Sequence, residues 1–82
     1  MDSRQAWEAA LGELQLQMTK ATFDQWFRNS IVLSCIDGVL CIGLVNSYAV
    51  EWVENRLARV VTRTLATLGF TGTVRYMGPR PP

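Results

Sequence analysis

The stretch from Asn46 to Leu68, NSYAVEWVENRLARVVTRTLATL, constrains the chain most, because no other segment is long and periodic enough to fix a helix by itself. At about 100° per residue, Val50, Val53, Leu57, Val60, Val61, Thr64 and Leu68 fall on one broad stripe, the spacing of a helix laid on a core. Asn46 supplies the start, since its side-chain oxygen can accept from an otherwise orphaned N–H of the first turn, and Gly69 supplies the stop. Glu51 and Glu54 come early while Arg56, Arg59 and Arg63 come late, the order that suits the helix dipole.

The same projection sets Tyr48, Trp52, Arg56, Arg59 and Arg63 on a neighbouring stripe, aromatic at its start and basic towards its end. Arginines interleaved with aromatics suit nucleic acid, because guanidinium groups hold phosphates and ring faces stack bases. The same residues also fit a plainer account, in which another helix buries Trp52 and the arginines form a solvated flank with Arg56 over an indole face.

Eighty-two residues fit one small domain, and 49% hydrophobic residues with three tryptophans and 18% charge describe a globular chain. Its charge is unevenly placed. Residues 1–55 hold three basic and seven acidic side chains, a net of −4, whereas residues 56–82 hold five basic and no acidic ones, a net of +5. That asymmetry favours a polyanion at the later half or pairing between the halves. With no histidine and only Cys35 and Cys41, neither an ordinary zinc site nor a Ser-His or Cys-His nucleophile can be assembled. The carboxylates are scattered and no Gly-rich phosphate loop exists, so no catalytic set, metal site or cofactor is expected. No apolar run has the length of a membrane span, and the N-terminus reads as an amphipathic helix and not a signal peptide, so no membrane partner and a cytoplasmic location are expected.

Asp2 or Ser3 caps a first helix, with Gln5 at capping-box spacing, and Trp7, Ala10, Leu11, Leu14 and Met18 form its apolar face to about residue 17. Thr19 caps a second, short helix, TKATFDQWFRN, whose Phe23, Trp26 and Phe27 share a face. From Ser30 to Val45 the period changes to two around Asp37-Gly38, the chemistry of a type I′ hairpin. A two-residue turn sets Ile36 opposite Val39, Cys35 opposite Leu40, Leu33 opposite Ile42 and Ile31 opposite Leu44, giving one apolar face of Ile31, Leu33, Cys35, Leu40, Ile42 and Leu44. Cys35 and Cys41 then point to opposite sides and form no disulfide. Thr73 to Met77 reads as a third strand with Val74 and Tyr76 inward and Arg75 outward, brought back to the sheet by the long helix. The predicted fold class is α+β, in the order α-α-β-β-α-β, with helices on one face of a three-stranded sheet across residues 1–77. Residues 78–82 read as the start of a Pro-rich linker.

Trp7 with Leu11 and Leu14, then Thr22-Phe23-Asp24-Gln25-Trp26-Phe27, the Asp37-Gly38 hairpin, and Asn46-Ser47-Tyr48 followed by Glu51-Trp52-Val53 resemble the N-terminal domain (domain I) family of DnaA-type bacterial replication initiators, from about Ala6 to Tyr76. The resemblance implies a KH-like fold and a module for protein interaction in replication initiation. Its implied partners are further copies of itself, the replicative helicase and regulatory proteins, with weak binding of single-stranded DNA. By the resemblance, Trp7 matches the family's self-association aromatic and Tyr48 an aromatic used for helicase contact. Thr22, Trp26, Asn46 and Tyr48 map to the surface where regulators dock. The chain departs from the family at Val45, where proline is common, and at Thr22, where some members are acidic; it also lacks the Gly-x-x-Gly loop of RNA-binding KH domains. A nucleic-acid-binding domain working through Arg56, Arg59, Arg63 and Arg75 is the alternative expectation.

Overall fold

Three short polar residues start the helices. In the computed structural model, which describes residues 2–79, the Asp2 carboxylate accepts from the Gln5 amide at 2.8 Å and the Gln5 side chain accepts in return from the Asp2 N–H. This capping box opens α1 (Ser3–Leu14). Thr19 accepts from the Thr22 N–H and opens α2 (Lys20–Trp26), and Asn46 accepts from the Ala49 N–H at 2.8 Å and opens α3 (Ser47–Trp52). The first two helices stop a few residues before the sequence pattern suggests, at Leu14 and Trp26.

Asp37 and Gly38 both adopt positive φ, 52° and 76°, and join β1 (Ile31–Ile36) to β2 (Val39–Gly43) as the hairpin chemistry predicts. Pairing follows the expected register from Ile36/Val39 through Ser34/Cys41, then slips by one residue, so that Val32 lies opposite Ile42 and Ile31 opposite Gly43. Leu33 is the inserted residue of a β-bulge. The slip corrects the predicted apolar face. Val32 turns inward beside Ile42, while Ile31 and Leu33 drape over Gly43 on the open side of the sheet, 57% and 49% exposed. A Cβ at Gly43 would come within 3.2 Å of both side chains, so they would have to shift by a few tenths of an ångström to admit one. Cys35 pairs with Leu40 and Cys41 with Ser34, so the thiols face opposite sides; both are free.

β3 (Thr73–Met77) adds parallel to β2, giving the order β1-β2-β3, with Val74 and Tyr76 inward as expected and Arg75 outward. The chain is α+β, and the element order is the predicted one. Helices cover one face only, enclosing Leu14, Phe27, Leu40, Ile42, Val53, Val61 and Leu65. Gly78 and Pro79 follow β3; the remainder of the expected linker, residues 80–82, lies outside the described residues.

The long helix is not uniform. α3 passes into a π-helical turn (Val53–Leu57) and then into α4 (Ala58–Thr67), which Gly69 closes at φ 95°. A π turn accommodates one residue more than an α turn, so everything after it lags by one position. Of the residues on the uniform projection, Val53, Val61 and Thr64 are buried as expected, and the buried Ala49 and Leu65 lie outside it. Ala49, Val53, Val61 and Leu65 are fully buried and Thr64 nearly so, while Val50, Leu57 and Val60 are only half-buried. With one residue of the turn discounted, Ala49, Val53, Ala58, Val61, Leu65 and Leu68 fall into a single helical stripe.

Candidate functional site

Tyr48, Trp52 and Arg56 are spaced four residues apart from the first turn of α3 into the π turn, which lines them along one edge of the helix. Trp26, at the end of α2, inserts between the first two. Its ring centroid lies 5.8 Å from that of Tyr48, tilted by 47°, and 5.0 Å from that of Trp52, stacked at 15°. The Arg56 guanidinium carbon sits 5.0 Å from the Trp52 ring centroid and closes the far end. Each aromatic pair contributes about 0.5–1.5 kcal/mol beyond its buried area. The guanidinium contact adds about 0.5–1 kcal/mol at an exposed site. The four side chains thus form a preassembled strip whose members are held by one another.

Exposure along the strip is graded. Trp26 is 7% exposed and Trp52 half-buried, but Tyr48 is 63% exposed and Arg56 is open to solvent. Tyr48 stands in the first turn that the Asn46 cap opens, with one side of its ring on Trp26 and the rest in solvent. Thr22, one turn before Trp26, is half-buried, and its hydroxyl accepts from that of Thr19 at 2.9 Å. Thr22, Trp26, Asn46 and Tyr48 therefore lie on α2 and the start of α3, the two elements that the aromatic contacts hold together.

Trp7 is placed differently. It is 2% exposed, packs against Phe27 at 6.4 Å between centroids, and donates its indole N–H to the Ser30 hydroxyl at 2.9 Å. It forms the floor of a groove between α1 and β1 whose walls include Arg4, Glu8, Leu11 and Val32. The expectation of a partner-contacting indole is corrected to that of a core residue shaping the groove from beneath.

The four arginines do not share one face. Arg56, Arg59 and Arg63 are exposed along the π turn and α4, whereas ladder parity turns Arg75 to the open face of the sheet. Among the described residues the one ion pair is Arg28 with Asp24 at 3.8 Å, so all four guanidiniums lack a carboxylate partner there. No group of three or more potential metal ligands gathers among the described residues, and no described helix is long and apolar enough to cross a membrane. Burial of the Tyr76 phenol, and secondarily the charge of Glu54, push its pKa up. Its hydroxyl is buried with no hydrogen-bond partner among the described residues.

Two features lie beyond the sequence reading. The edge of Tyr48, Trp52 and Arg56 is visible in the four-residue spacing, but the stacking of Trp26 on Trp52 is not, because that indole comes from another helix. The second is the apolar row of Ile31, Leu33 and Met77 on the open sheet face, which exists only because of the bulge.

The sequence model of the family described as DnaA N-terminal domain matches residues 4–67. The chain is also similar to the chromosomal replication initiator protein DnaA of Herpetosiphon aurantiacus, 32% identical over 78 residues that make up 94% of this chain. Those residues span 16% of that relative's length.

Proposed function

Since the chain belongs to the DnaA N-terminal domain family, a family of DNA replication initiation, we propose that it is a docking module that binds the replicative helicase and replication regulator proteins. The docking surface is the strip of Trp26, Tyr48 and Trp52, flanked by Thr22 and Asn46. The observation that carries this reading is a 63% exposed phenol seated on an already ordered aromatic stack. Such a group adds contact area with little further loss of side-chain freedom, the property of an interface anchor. Self-association uses a second surface, the groove between α1 and β1 above Trp7.

Tyr48→Ala removes the exposed anchor without opening the core. The purified variant should keep its thermal midpoint, while its affinity for the purified helicase, read by biolayer interferometry, falls at least tenfold, the effect of about 1.4 kcal/mol. Equal binding by variant and parent would reject the reading.

A second reading is supported by the absence of carboxylate partners for Arg56, Arg59 and Arg63 among the described residues. Single-stranded DNA laid along α4 would contact these three, with Arg75 reached only by strand that wraps to the open sheet face. Three phosphate contacts would give a slope of about −2 in log affinity against log salt. A flat salt dependence, or no effect of Arg59→Glu, would remove it.

A further inference from the structure

We infer that the partner segment seated on the aromatic strip carries a carboxylate that pairs with Arg56, about five extended residues or fewer from an aromatic or aliphatic side chain that covers Tyr48. This deepens the docking reading and rests on it. Arg56 is fixed on one side only. Its guanidinium carbon lies over the Trp52 ring, 5.0 Å from the centroid, and among the described residues no carboxylate lies within ion-pairing distance, although Glu51 and Glu54 stand nearby in the chain. A guanidinium held over a ring in this way has its position partly set, and its five N–H donors include a pair able to take a carboxylate in a bidentate fork.

The spacing follows from the strip itself. Its steps of 5.8, 5.0 and 5.0 Å lead from Tyr48 through Trp26 and Trp52 to Arg56. The ends are thus no more than roughly 16 Å apart, the reach of about five residues of extended chain. Charge decides between a carboxylate and a phosphate. The segments that carry the strip, residues 20–28 and 47–57, hold Asp24, Glu51 and Glu54 beside Lys20, Arg28 and Arg56. A balanced surface with one oriented cation suits a single acidic side chain, whereas a nucleic-acid strand is drawn to a continuous positive track. Fixing Arg56 in advance also reduces the entropy lost on pairing.

A displayed library of random short peptides, selected on the parent chain and on variants, tests this directly. The parent should enrich peptides with Asp or Glu within about five residues of an aromatic or large aliphatic side chain. Those peptides should fail to bind Tyr48→Ala, lose roughly tenfold in affinity for Arg56→Gln, and be replaced by Lys- or Arg-bearing peptides on Arg56→Glu. The circular-dichroism couplet of the stacked Trp26–Trp52 pair reports whether each variant keeps the strip. Peptides that need Tyr48 but show no acidic preference, or that ignore Arg56→Glu, would overturn the inference and leave the docking reading standing. Absence of any Tyr48-dependent peptide would overturn both. Binding of an oligothymidylate that is lost in both Tyr48→Ala and Arg56→Gln, with no acidic peptide selected, would assign the strip to nucleic acid and overturn the inference.

Discussion

Replacing Trp7 by alanine should act on folding before it acts on any partner. The side chain is 2% exposed, meets the Phe27 ring and donates to the Ser30 hydroxyl, which itself donates to the Phe27 carbonyl at 2.6 Å. Truncating a buried indole costs about 3–5 kcal/mol. A domain of this length has a total stability of about 4–12 kcal/mol. The variant should therefore lose about a quarter or more of its stability, and its thermal midpoint should drop by roughly 12 °C or more. Urea titration followed by circular dichroism measures the loss. Trp7→Phe serves as the companion: it keeps a ring against Phe27 and gives up the indole N–H, at a cost of about 1–2 kcal/mol. If Trp7 only shapes the α1–β1 groove, sedimentation should show Trp7→Phe self-associating like the parent. A Trp7→Ala variant within about 1 kcal/mol of the parent yet unable to self-associate would refute the assignment of Trp7 to the core and restore it as a direct contact.

Other perturbations probe separate parts of the fold. Asn46→Ala removes the α3 cap and should cost about 1 kcal/mol in denaturant titration; no loss would mean that the 2.8 Å bond to the Ala49 amide contributes nothing. Deleting Asn55 should let the π turn relax into an unbroken α-helix whose core stripe stays in phase, costing no more than about 1 kcal/mol and releasing Arg56 from Trp52. Deleting Arg59 as well as Asn55 removes one residue too many, and should swing Val61 and Leu65 about 100° off the core and cost about 3 kcal/mol or more; a double deletion as stable as the single one would contradict the phase argument. Tyr76→Phe removes a buried hydroxyl without a described partner and should leave stability unchanged or raise it by about 1 kcal/mol. The folded-state pKa of Tyr76 is raised, so its protonated form is favoured by folding. Its contribution is intact below the unfolded-state value of about 10. It should be lost at higher pH, by up to about 1.4 kcal/mol per unit. Tyr76→Phe should remove that part of the alkaline decline, and an identical decline in both proteins would rule it out.

What could be read from the sequence was what local chemistry decides. Asp2, Thr19 and Asn46 each satisfy a nearby backbone donor, and Asp37-Gly38 takes a backbone shape that few other pairs accept, so element order and turns were visible. The misread faces of the hairpin and of the long helix trace to one added residue in each. Leu33 in the bulge and the extra residue of the π turn each break a constant period, and whether a chain tolerates such an insertion depends on how the packed layers meet. Leu65 reaches the core through the π turn and Ile31 leaves it through the bulge, while Val61, Thr64, Val74 and Tyr76 keep the faces their spacing predicts. For the site, Tyr48, Trp52 and Arg56 were legible as one helical edge, and Arg75 as outward-facing by strand parity. The insertion of Trp26 between two rings of another helix, and the covering of Trp7, are long-range packing events that spacing along the chain does not encode.

The three indoles allow the central claim to be tested in one titration. Trp26 and Trp52 belong to the strip, while Trp7 is sealed beneath the α1–β1 groove with its N–H already engaged. In nitrogen-15 labelled protein titrated with unlabelled helicase, the indole resonances of Trp26 and Trp52 should shift or broaden together with the Tyr48 amide, and the Trp7 indole should stay in place. A bound state in which Trp7 responds while the resonances of the strip do not would contradict the account.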